Sequence, residues 1–143
     1  MARRRDQGAD VSKRLVVAVV ATFAVLLVLD LTWLISMADV IYRPYIGALL
    51  ADEPNLIAAA AFYVLYTVGL TIFVLRPALA EGTSGALKGG LFGLVAYGAY
   101  DLTNHATLIG WSGVVTVADM GWGMSAGAIA CGAGVWISRK ITA

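Results

Sequence analysis

Four long stretches of the chain are apolar almost without interruption, and the breaks between them are short and polar. A helix needs roughly 20 largely apolar residues to cross a bilayer core of about 30 Å. Residues 15–36, 55–75, 86–109 and 112–137 meet that length. The pattern therefore predicts an all-α integral membrane protein, a bundle of four transmembrane helices flanked by a basic arm (1–14) and a basic tail (138–143). The run that starts at Leu15 has no small-residue cleavage site and exceeds the ~7–15 residues of a signal core, so it is read as an uncleaved first helix.

Punctuation sets the connections. Pro54 is placed to open the second helix, with Asp52 and Glu53 near its positive end. Arg76-Pro77 is expected to end the second span, Glu81-Gly82-Thr83-Ser84-Gly85 to form a flexible turn, and Gly110-Trp111-Ser112-Gly113 a tight one. In the long first connection Ile41, Tyr42, Tyr45, Ile46, Leu49 and Leu50 recur at helical spacing. That predicts a short amphipathic helix lying at the membrane interface, with an extended loop as the alternative.

Composition strengthens the membrane reading: 60% of the 143 residues are hydrophobic and 13% charged. An ordinary soluble domain carries about 25% charged residues, enough to cover a water-facing surface. Charge then sets orientation. Nine of the ten Lys and Arg residues fall on one side of a four-span topology, and Arg43 stands alone on the other. The positive-inside rule puts both termini in the cytoplasm and the first connection in the periplasm. The basic residues cluster at the ends and not along an amphipathic face, which gives no ground for a nucleic-acid partner. Cys131, the only cysteine, can form no intramolecular disulfide and reads as a small packing residue.

An aspartate inside a span costs about 2.5–3.5 kcal/mol on insertion scales, so each one needs a partner or a purpose. Asp30 and Asp101 each lie 15 residues into an outward-running helix, about 22 Å from the cytoplasmic side. Asp119 lies about 10 Å below the outer end of the fourth helix. All three thus fall in the outer half. Tyr63 and Tyr66 reach the same layer from the second helix, Trp33 and Trp122 share faces with Asp30 and Asp119, and Tyr97, Asp101, Asn104 and His105 make a polar stripe on the third helix. These ten residues are the candidate ligand-binding or proton-handling site, with the first connection as a lid and Arg43 as candidate counter-ion. Interhelical hydrogen bonding alone is the competing explanation of the aspartates.

Gly85, Gly89 and Gly93, and a second small-residue face from Gly123 to Gly134, would let helices approach closely, either within the bundle or between protomers of a dimer or larger complex. Asp30-Leu31-Thr32 and Asp101-Leu102-Thr103 form a weak echo, suggestive of a duplicated parallel hairpin. No phosphate-binding loop or nucleophile elbow appears, and no cofactor is expected. One histidine among carboxylates is a poor zinc set, so no metal is expected either.

The segments Leu29-Asp-Leu-Thr-Trp33, Phe62-Tyr-Val-Leu-Tyr66 with Gly69, Arg76-Pro-Ala-Leu79, Tyr100-Asp-Leu-Thr-Asn104 and Thr116-Val-Ala-Asp-Met-Gly-Trp-Gly123 resemble a bacterial inner-membrane family, domain of unknown function 2177. The resemblance implies a four-helix inner-membrane protein and carries no activity with it. The residues themselves favour a protein that binds or transports a small molecule or lipid. An enzyme of lipid or isoprenoid modification with an aspartate as acid or base is the second reading. A non-catalytic subunit of a larger membrane complex is the third.

Overall fold

The structure is a computed structural model that describes residues 2–142, with side chains described from Ser12 onward; the arginines of the arm at positions 3–5 lie outside that set. Every regular element in the described residues is helical. We number four rods: α1 (Ala2–Met37), α2 (Leu56–Glu81), α3 (Gly85–Thr107) and α4 (Gly113–Ile141). Asn55, Ser84 and Ser112 cap the last three, each side chain accepting from a backbone N–H at the helix start.

Proline does not end helices here in the expected way. Pro44 and Pro77 have no N–H, and their rings would crowd the carbonyl one turn back. In both places a π turn comes just before an Arg-Pro pair, at Ala38–Tyr42 and at Thr71–Leu75. Arg43 N–H bonds the Ala38 carbonyl, and Arg76 N–H bonds that of Thr71. The wider turn absorbs the missing bond and lets the rod continue. The expectation that Arg76-Pro77 ends the second span is thereby corrected: α2 runs on to Glu81 and stops at Gly82, whose φ of 71° is the left-handed cap that favours glycine. The first connection is likewise no detached helix. It prolongs α1 through the π turn, one α turn at Arg43–Ile46 and a 3-10 turn at Gly47–Leu49.

The last helix is the hub. α4 packs along α3 through the tight turn at residues 108–112 and along α1 on its other side. The glycine ridge is used in this seam. Gly93 rests on the Gly123 backbone, Gly89 on Gly127, and Gly85 on Cys131 and Val135. Gly134 accommodates Ala18 and Thr22 of α1. The small-residue faces are therefore used between helices of the one chain. The supposed duplication is not reflected in packing. α3 and α4 form a tight hairpin, whereas α2 meets α1 mainly through its π turn and last helical turns. Its first part is exposed from Leu56 to Phe62 and enters the core through Tyr66 and Leu70.

At one end the termini are tied together: Arg14 donates to the Thr142 carbonyl (3.1 Å), Ser138 to that of Arg14 (2.7 Å), and Arg139 to that of Ala78 (3.2 Å). The exterior is apolar along every rod, from Val16 and Val20 on α1 to Trp136 on α4. A surface of that kind is stable in hydrocarbon and not in water. α1, α2 and α4 are long and apolar enough to cross a membrane.

Candidate functional site

α1 and α4 run antiparallel, and each carries Asp-x-x-Trp: Asp30 to Trp33, and Asp119 to Trp122. In a helix, residues three apart share a face. Residue 30 therefore meets 122, and 33 comes beside 119. The two motifs exchange partners. Trp122 Nε1 donates to Asp30 (2.9 Å). Trp33 Nε1 donates to the Tyr42 hydroxyl (2.8 Å), which donates to Asp119 (2.7 Å). Between these bonds the two indoles stack, with centroids 4.5 Å apart and planes 9° from parallel. A polar thread thus crosses the α1–α4 seam from Asp30 to Asp119.

Each end of the thread opens on a different space. At Asp30, which is 4% exposed, the Tyr97 hydroxyl adds a long bond (3.3 Å) and Tyr63 approaches from α2. Tyr97 can reach across because its ring lies on Gly123, where a side chain would block it. Tyr66 packs edge-on to Tyr97, and its buried hydroxyl has no hydrogen-bond partner among the described residues. Beyond these rings, a groove lies between α2 and α3. It comprises a cavity of about 390 Å³, walled by Phe62, Leu65, Tyr66, Phe92 and Ala96, and an adjoining recess of about 220 Å³ that reaches Tyr97 and Tyr100. The opening is sideways, through the apolar exterior. At the other end Tyr42 forms part of the wall of a cavity of about 820 Å³ beside the 38–55 connection, with Leu34, Arg43, Asp52 and Pro54.

Asp101 is the exception to this pairing. It is 0% exposed, yet neither carboxylate oxygen has a hydrogen-bond partner among the described residues. Asn104 lies one turn on, beside Tyr100. His105 is set apart: its Nδ1 lies 3.2 Å from Thr116 Oγ1, which also accepts from Trp111 (3.0 Å).

Arg43 is placed differently from expectation. It pairs with Asp39 one turn back (2.5 Å), and both side chains are largely exposed. The π turn sends Tyr42, not Arg43, to the buried carboxylate, so the counter-ion role is corrected to a hydroxyl bridge. Sequence reasoning put Tyr42 on a surface helix. Nine residues along a regular α-helix would leave Trp33 and Tyr42 on opposite faces, so spacing gave no signal for their bond, which forms where the helix passes through a π turn. Among the described residues no group of three or more His, Cys, Asp or Glu side chains is arranged to hold a metal ion.

An apolar helical exterior enclosing buried carboxylates defines a multi-pass integral membrane protein. The chain belongs to the family described as "predicted membrane protein (DUF2177)", which it matches over residues 15–136. No curated protein and no solved structure matches it.

Proposed function

We propose that the protein crosses the inner membrane four times with both termini in the cytoplasm, and that it binds an amphiphile through the groove between α2 and α3. The orientation is supported by the nine basic residues at the end where the termini meet. We take α3 as the fourth span because its glycine ridge packs along α4; its lower apolar content reflects its glycines and the polar residues Asp101, Asn104 and His105 toward its end.

The single observation that carries the ligand reading is Asp30: a buried carboxylate ringed by Tyr97, Tyr63 and Trp122, set behind Tyr97, which lines a groove open sideways to lipid. Apolar walls suit a hydrocarbon chain. A carboxylate with no basic side chain bonded to it favours a headgroup that brings an ammonium or several hydroxyl donors, and disfavours an anionic one. The periplasmic half of the bundle would then hold the headgroup and the outer leaflet would supply the ligand.

Native mass spectrometry of the protein in micelles, with phosphatidylethanolamine and phosphatidylglycerol as competing probes, tests this. The expected result is retention of the amine lipid at least tenfold more tightly, a difference of about 1.4 kcal/mol. Asp30→Asn should remove the preference. Equal retention of both lipids, unchanged in Asp30→Asn, would overturn the reading.

A further inference from the structure

The cavity of about 820 Å³ beside the 38–55 connection is not used by the groove between α2 and α3, and its walls are of two kinds. Leu34, Leu50 and Pro54 are apolar, whereas Arg43 and Asp52 bring opposite charges to the same space. Tyr42 lines it as well, but its hydroxyl is engaged on both sides, accepting from Trp33 and donating to Asp119, so it offers a ligand its ring.

Arg43 is only partly used. Its Nη1 bonds Asp39, and the Nε–Nη2 edge has no hydrogen bond among the described residues. That edge is the fork that takes two oxygens of one anionic group. The Asp52 carboxylate has no ion pair among the described residues either. Asp39 and Asp52 together outweigh Arg43 by one charge, which turns away a plain anion. A plain cation would leave the arginine fork empty. A molecule that carries both signs satisfies both walls, and the volume lies within the range of small-molecule sites, about 300–1,000 Å³. We propose that this cavity is a second binding site, for a zwitterion whose phosphodiester oxygens take the Nε–Nη2 edge of Arg43 and whose ammonium pairs with Asp52. Gly47 keeps the space open. Its φ of −52° is helical, so the backbone does not require glycine there, and a Cβ would meet nothing within 4 Å.

Calorimetric titration of the full-length protein in maltoside micelles with glycerophosphoethanolamine, which has both charges and no acyl chain, tests the site. This probe should bind at least tenfold more tightly than ethylamine or dimethyl phosphate. Arg43→Lys, which keeps the charge and loses the fork, and Asp52→Asn should each weaken it at least tenfold; both residues are exposed, so neither change threatens folding. Gly47→Phe should abolish binding by filling the cavity. Asp30→Asn should leave it unchanged while removing the lipid preference of the α2–α3 groove, so the two sites fail separately. Displacement of the probe by phosphatidylethanolamine in the Asp30→Asn protein would assign the zwitterion to a lipid headgroup, and no displacement to a soluble molecule. The proposal is overturned if glycerophosphoethanolamine does not bind, if either single-charge probe matches it, if Arg43→Lys, Asp52→Asn or Gly47→Phe binds it as the wild type does, or if Asp30→Asn abolishes the binding.

Discussion

Replacing Gly93 with alanine probes the seam on which the site depends. A Cβ at this position would collide with the Gly123 carbonyl oxygen, approach its carbon to 2.7 Å, and lie 3.1 Å from the Tyr66 hydroxyl. The first two obstacles are backbone, which cannot rotate aside as a side chain would, so α3 and α4 must separate. Overpacking in a close-packed interior costs about 1–3 kcal/mol, and a collision with backbone belongs at the upper end. Against this, alanine is the better helix former by about 1 kcal/mol. The net expectation is a loss of about 2 kcal/mol. Gly121→Ala is the matched control, because a Cβ there meets nothing within 4 Å and only the helix-forming gain remains. Equilibrium unfolding of both variants in mixed micelles should therefore place Gly93→Ala about 3 kcal/mol below Gly121→Ala. The separation should also loosen Tyr97, whose ring lies on Gly123, and weaken its reach to Asp30. If Gly93→Ala is as stable as Gly121→Ala, the close backbone contact between α3 and α4 is wrong, and with it the placement of Tyr97.

Trp122→Phe removes the shortest donor to Asp30 and should cost about 1–3 kcal/mol, the usual effect of stranding a buried acceptor. It should also abolish the exciton feature that two parallel indoles 4.5 Å apart give in near-ultraviolet circular dichroism; a spectrum that keeps the feature would show that Trp33 and Trp122 do not stack. Topology can be read with single cysteines in a Cys131→Ser background, since Cys131 is buried. An impermeant maleimide should label Asp52→Cys on intact cells and leave Thr142→Cys untouched until the membrane is opened, and the reverse pattern would refute the orientation.

How far the site was legible depended on the distance over which each relation acts. Asp30 with Trp33, and Asp119 with Trp122, are relations within one helical turn, so spacing alone puts each pair on a common face. Tyr42 was not legible in that way, because its position depends on whether the helix survives Pro44. A π turn decides that, and a π turn leaves no clear mark in the residues that form it. For the same reason Arg76-Pro77 reads as a stop although the rod continues to Glu81.

By itself, the sequence determined the solvent, the helical class and the burial of the aspartates. Each of these follows from local composition: too few charges for a water surface, apolar runs of membrane length, and carboxylates set within them. The tertiary structure decided which helix is the hub, that the glycine ridges close the bundle from within, and that Asp30 and Asp119 exchange tryptophans across an antiparallel seam. It also decided that, of the three buried aspartates, Asp101 is the one with no hydrogen-bond partner among the described residues. Contacts between helices depend on crossing and rotation, which many distant side chains fix together, and no window of sequence contains them.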